Sequence, residues 1–131
     1  MAYDPTHPQS KEIYWNHMKN MLAMGFDAWW LDGTEPDHFD RTDKDMENKM
    51  YYGSYRRMKN IYPIACSRNV YDKLRKYDKG RRAYTMTRSA AFGQQRYSAG
   101  VWSGDVTARW DVFANQIPAA QNFILSGNPY W

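Results

Sequence analysis

An α/β fold built on a parallel sheet is what this sequence predicts, on three observations. Helical and strand-like stretches alternate in the order α-β-α-β-(α)-β-α-β, the pattern of parallel strands joined by crossover helices. The run Phe26 to Leu31, FDAWWL, is apolar except at Asp27, as expected of a strand covered on both faces. Charged residues, Asp32, Arg88 and Asp105, stand where three predicted strands end, and such folds concentrate function at the C-terminal ends of their strands.

Taken in order, residues 2–8 are a loop broken by Asp4-Pro5 and His7-Pro8. A helix follows over roughly 9–24, and Pro8 suits its first turn, where a missing N–H costs nothing. Ile13, Tyr14, Met18, Met21 and Leu22 share one face of it, and Gly25 fits the left-handed position just past its end. The first strand spans 26–31 and stops at Asp32-Gly33. The stretch 33–46, GTEPDHFDRTDKDM, is a polar loop. A helical region is predicted over about 50–78, with Pro63 marking a break or a new start. Ala83 to Arg88, AYTMTR, is the second strand, and a turn or short helix covers 89–97. Val101 and Trp102 lead a third strand into Ser103-Gly104-Asp105. A helix over 109–121 aligns Trp110, Phe113, Ile117 and Ala120. Phe123, Ile124 and Leu125 are predicted to begin a fourth strand. No repeat, linker or low-complexity tract appears, so residues 1–131 are expected to lie in a single domain, with no second one.

Composition bounds the function classes. With 43% hydrophobic and 24% charged residues the chain is globular rather than disordered. Aromatic residues reach 17%, including 6 Trp and 11 Tyr. Flat rings suit the faces of sugars, but they fill cores equally well. The net charge is +4; its basic residues cluster in Arg56, Arg57 and Lys59 and between Lys73 and Arg82. Those positions read as solvated helix faces, and no nucleic-acid-binding motif accompanies them. The one cysteine, Cys66, excludes an internal disulfide and reads as a buried small hydrophobe. No apolar run is long enough to span a membrane. The segment MAYDPTHPQS lacks the apolar core of a signal peptide, which leaves the cellular location open. His7, His17 and His38 have no metal-ligand spacing; His17 reads as structural, and His38 lies near the loop after Asp32. The acidic loop from Asp37 to Glu47 lacks the ligand order of a calcium-binding hand.

Two carboxylates facing each other across a pocket can hydrolyse a glycoside: one attacks the anomeric carbon while the other protonates the leaving oxygen. Retaining enzymes hold them about 5–5.5 Å apart. An ordinary Asp titrates at about 3.9, so the acid must be raised by burial or a like charge while a cation keeps the nucleophile ionised. Asp105, Asp32 and Arg88 could fill these roles. Spacing alone goes no further than an α/β domain with a candidate acidic site, because an Asp at a strand end is just as readily a helix cap.

Two blocks carry a resemblance. GFDAWWLDGTEPD, 25–37, resembles the nucleophile region of glycoside hydrolase family 31, in which a Trp-x-Asp core at a strand end is followed by an acidic residue. Asp32 matches the nucleophile, and Glu35-Pro36 the carboxylate–proline step behind it. TRSAAFGQQRYSAGVWSGD, 87–105, resembles the second block of that family: an Arg at a strand end, a Gly-Gln-Gln-Arg-Tyr turn, then Trp-Ser-Gly-Asp. Asp105 matches the acid/base and Arg88 the substrate-contacting Arg. NFILSGNPYW, 122–131, resembles the next barrel strand of the family.

The resemblance implies a retaining α-glycosidase on a (β/α)8 barrel that uses neither metal nor cofactor. Asp32 would form a glycosyl ester, and Asp105 would protonate the leaving oxygen and then activate water. Arg88 would hydrogen-bond the sugar or Asp32. Trp102 would wall the sugar subsite or back the acid. Trp30 and Trp29 alternate across the strand, so that one of them faces the pocket. Glu35 would support the site from behind. The Trp-Leu-Asp-x-Thr-Glu-Pro-Asp form resembles most the α-xylosidases of the family, which implies an α-linked xyloside or glucoside as the carbohydrate partner. A closed barrel needs about 250 residues. The chain is therefore expected to be a partial barrel, roughly strands four to seven, completed by missing chain and inactive alone. The family's later Asp-Ile-Gly-Gly-type block and His do not appear in it. An α-glucan lyase or transglycosidase would share the nucleophile, and a non-catalytic sugar-binding fragment would use the same carboxylates only as hydrogen-bond partners.

Overall fold

The computed structural model describes residues 3–35 and 42–129. Helix α1 spans Pro8–Ala23, and His7 caps it, its ring nitrogen accepting the Gln9 N–H at 3.1 Å. Gly25 follows with φ 95°, the left-handed exit its position predicts. Strand β1 is Trp29–Leu31, shorter than the predicted 26–31. Its parallel partner begins opposite Trp29, so Phe26 to Ala28 have no ladder to join, and Asp27 pairs instead with Arg81.

Pro36, Asp37 and His38 lie outside the described residues, so the expectations for them and for the first half of the 37–47 loop are not addressed by the fold. Helix α2 (Asp43–Met46) is a single turn capped by Thr42, whose Oγ1 accepts the Asp45 N–H at 3.1 Å. The helix predicted from residue 50 begins later. Lys49–Met50 (β2) and Gly53–Ser54 (β3) form an antiparallel hairpin. Its tip is fixed from afar, because the Asp4 carboxylate accepts the Tyr51 N–H at 2.7 Å. Helix α3 (Tyr55–Met58) and a 3-10 turn (Lys59–Ile61) lead into α4 (Tyr62–Tyr77). Pro63 sits in the first turn of α4 and marks a new start rather than a kink.

Strand β4 (Thr85–Thr87), a 3-10 turn (Gln94–Tyr97), β5 (Ala99–Val101) and α5 (Trp110–Leu125) complete the described chain. The sheet is parallel throughout, in the order β1-β4-β5, with Leu31, Thr87 and Val101 level with one another. The α/β expectation therefore holds with three such strands. The fourth does not: Phe123, Ile124 and Leu125 form the last turn of α5. A short apolar triplet has no periodicity of its own to separate strand from helix. The helix ends only at Ser126, whose hydroxyl donates to the Phe123 carbonyl at 2.6 Å, and Gly127 leaves it with φ 91°.

Side chains alternate across the sheet. Leu31 packs with Met18, Val70, Leu74 and Ala83, joined by Trp29 and Leu22, so one face is sealed by α1 and α4. Burying each such aliphatic side chain contributes about 1.5–3 kcal/mol. A second cluster, Met50, Tyr55, Met58, Tyr62 and Cys66, lies beneath the hairpin. It anchors the N-terminal loop: the Tyr62 hydroxyl donates to the Tyr3 carbonyl at 2.5 Å, and Asn69 Nδ2 donates to the Pro5 carbonyl at 2.7 Å. Burial pushes the Tyr3 phenol up to about 12 and also raises the Tyr62 phenol and the Cys66 thiol. The opposite face of the sheet carries Trp30, Met86 and Gly100 side by side. A Cβ at Gly100 would meet the Tyr84 hydroxyl lying over it, so a side chain there would require that ring to move.

Candidate active site

Asp32 is the first residue past β1 and Arg88 the first past β4. Because the two strands pair in register, these side chains emerge together at one end of the sheet. Asp32 begins a tight turn in which its Oδ1 accepts the Gly33 N–H at 2.8 Å, with Gly33 at φ 61°. The turn brings Glu35 back over the strand end. Arg88 joins the two carboxylates: its Nε and Nη2 each lie 2.5 Å from Glu35 Oε1, and its Nη1 lies 3.6 Å from Asp32 Oδ1.

The two pairings differ in kind. The contact to Glu35 is a short charge-assisted hydrogen bond, whereas 3.6 Å is Coulombic proximity without a hydrogen bond. Glu35 is thus the principal partner of Arg88, a larger part than its sequence position indicated. The exposure of the side chains follows the same order, 54% for Asp32 against 29% for Glu35. Glu35 Oε2 is buried with no hydrogen-bond partner among the described residues. Behind the pair stands Cys66 on α4, whose thiol is raised by burial first and by the Glu35 charge second.

Trp30 on β1 and Trp102, the first residue past β5, meet edge to face at 5.6 Å. Trp30 is 68% exposed and Trp102 half-buried, so the expected alternation sends Trp30 to the open face and Trp29 to the helices. Asp105 lies four residues beyond Val101, at the centre of a γ-turn closed by the Val106 N–H on the Gly104 carbonyl at 3.0 Å. Its side chain is exposed. Asp32, Glu35 and Arg88 are thus gathered into one cluster. Asp105 lies in the loop after β5, the strand next to β4, and has no hydrogen bond or ion pair to a described residue.

One residue at this end of the sheet was not foreseen. Gln94, in the Gly-Gln-Gln-Arg-Tyr turn, is fully buried and hydrogen-bonded on both its oxygen and its nitrogen, to Ala91 and to Thr87. Nothing in the local sequence marks it, because a glutamine in a polar turn normally faces water. His7 is a helix cap rather than a ligand. Among the described residues no three His, Cys, Asp or Glu side chains are grouped to hold a metal ion, and no helix is long and apolar enough to cross a membrane.

Comparison with known proteins places this geometry. The model of the glycosyl hydrolases family 31 TIM-barrel domain matches residues 1–131. An alpha-xylosidase of Saccharolobus solfataricus is 38% identical over 99% of this chain. Among solved structures, the GH31 alpha-xylosidase of Xanthomonas citri superposes with a TM-score of 0.86 at 35% identity, over 98% of this chain. A GH31 dextranase of Flavobacterium johnsoniae, complexed with glucose, gives 0.79 at 29% identity over 89% of this chain. The chain spans 18%, 14% and 15% of these three proteins, respectively.

Proposed function

Because the chain belongs to family 31 of the glycosyl hydrolases, we propose that it carries the catalytic carboxylates of a retaining α-glycosidase acting on α-xylosides. The observation that carries this reading is the cluster at the strand ends, where Arg88 sits between Asp32 and Glu35. Asp32 is the nucleophile. It is exposed, as attack requires, and the Arg88 guanidinium lies 3.6 Å from its carboxylate. Asp32 attacks the anomeric carbon, the bond to the leaving oxygen breaks, and Asp105 gives that oxygen a proton. Asp105 then takes a proton from water, which cleaves the ester and frees Asp32. Strands β1 and β5 are about 10 Å apart across β4, a gap that two inward-leaning carboxylates and one sugar ring can fill. The edge-to-face pair of Trp30 and Trp102 supplies an apolar wall for the sugar.

The α-xylosidase likenesses, at 38% and 35% identity, favour xylose; the dextranase likeness keeps an α-glucoside as the second candidate. On this reading the three parallel strands belong to strands four to seven of a single barrel domain, of which residues 1–131 are a fragment. The exposed apolar face bearing Trp30 and Met86 supports further strands packing against it, so the chain alone is expected to be inactive.

The test is covalent labelling. The protein, in the longest form its coding frame specifies, is treated with a 5-fluoro-α-xylosyl fluoride and digested. A glycosyl adduct on the peptide containing Asp32 is expected. Full hydrolysis of aryl α-xyloside by an Asp32→Ala variant, or an adduct on another carboxylate, would refute the assignment.

A further inference from the structure

The Gly-Gln-Gln-Arg-Tyr turn has no part in the chemistry above, yet Gln94 within it has no solvent exposure at all. Its Nε2 lies 3.0 Å from Thr87 Oγ1, 2.8 Å from the Ser89 carbonyl and 3.1 Å from Ser67 Oγ on α4. Its Oε1 accepts the Ala91 N–H at 3.0 Å. The Thr87 hydroxyl closes the network by donating to the Ser89 carbonyl at 2.9 Å. Ser67 and Thr87 are themselves fully buried.

The placement of these partners is specific. Thr87 and Ser89 are the residues immediately before and after Arg88, and Ser67 is a buried residue of α4. The amide therefore holds the Thr87 hydroxyl before Arg88 and the Ser89 carbonyl after it, and ties both to α4 through Ser67. A carboxamide is required, because the site needs donors and an acceptor together. A methionine of similar shape would leave the Ser89 carbonyl without the amide and the Ala91 N–H without an acceptor. The Arg88 guanidinium has to meet Glu35 at 2.5 Å while facing Asp32 at 3.6 Å, and a displacement of about 1 Å at its root would separate them.

We propose that Gln94 is a positioning residue, whose side chain clamps the turn around Arg88 so that the guanidinium faces Asp32 and Glu35. Its importance for catalysis rests on the function proposed above; the clamp itself does not.

The experiment is NMR of arginine Nε–H groups in the 15N-labelled protein, in the same longest form of its coding frame, with Arg88→Lys identifying the Arg88 signal. In Gln94→Met, exchange of the Arg88 Nε–H with water is expected to accelerate roughly three- to tenfold, the loss of about one hydrogen bond. Arg56, paired with Glu47 elsewhere, is expected to be unchanged. Ser67→Ala removes one acceptor gently and is expected to give a smaller change in the same direction, so the test survives if Gln94→Met fails to fold. Val70→Ala, which weakens the core without touching the clamp, is expected to leave Arg88 at the wild-type rate. Wild-type Arg88 exchange in the folded clamp variants, or an equal acceleration in Val70→Ala, overturns the proposal. Response of Arg88 to Gln94 without any labelling of Asp32 would leave the clamp standing and remove the glycosidase reading. Labelling of Asp32 with an indifferent Arg88 would do the reverse.

Discussion

Helices α4 and α5 each have 16 residues, and they could hardly differ more in what they bury. α4 buries Tyr62, Cys66, Ser67, Asn69, Val70 and Leu74, and turns Arg68 and Asp72 to solvent. α5 is the more apolar of the two and buries nothing: Trp110 is 87% exposed and Leu125 83%. Burial is therefore set by whether a complementary surface is present, not by how apolar a helix is. The same contrast runs through the site. The ends of β1 and β4, backed by α4, hold Asp32, Glu35 and Arg88 in a fixed cluster. The end of β5, which leads to α5, presents Asp105 with no such support.

The largest expected effect probes the less supported side. Asp105→Asn is expected to lower turnover of an alkyl α-xyloside by about 10²–10⁴-fold, the range of a lost general acid. A xylosyl fluoride, whose leaving group needs no proton, should be spared in the first step; the ratio of the two rates is the measurement. Next in size is stability. Leu74→Ala in α4 is expected to cost about 2–5 kcal/mol in urea unfolding, whereas Phe113→Ala, at an exposed α5 position, should change it by less than about 0.5 kcal/mol. Equal costs would mean that α5 is covered in solution.

Smaller effects come from titration and from the surface. Burial raises the Tyr3 phenol from 10.0 to about 12 and raises Cys66 above 9.0. In both cases the folded state holds its proton more tightly than the unfolded chain. The associated stability is intact below the unfolded values and is lost as pH climbs from about 9 toward 12. Urea midpoints should stay level up to about pH 9 and fall beyond it, less steeply in Tyr3→Phe. The smallest change should follow Lys73→Ala, which breaks the 2.5 Å pair with Glu12 between α4 and α1. Because Glu12 is fully exposed, only a small loss is expected, shrinking further with salt.

Much of this contrast was legible in the sequence, though unevenly. Helix α1 announced itself through Pro8, its apolar face and Gly25. The strand-end positions of Asp32 and Arg88 followed from apolar runs ending in charge. The hairpin at 49–54 did not, because its shape depends on Asp4 reaching Tyr51 from 47 residues away, a contact no local pattern encodes. Phe123 to Leu125 misled because helix and strand both accept an apolar triplet. Glu35 and Gln94 were undervalued for a shared reason: their weight comes from partners on other strands and helices, which only the fold supplies.

The pairing of Thr87 with Leu31 and Val101 across the sheet has an evolutionary corollary. Inserting or deleting one residue within β4 would flip every later side chain of the strand to the other face. Arg88 would swing toward the helix layer, and the Thr87 hydroxyl would forfeit Gln94. Length changes in this gene should accordingly be tolerated in surface turns such as Lys79-Gly80, whereas β4 admits substitutions but no frame-preserving indels.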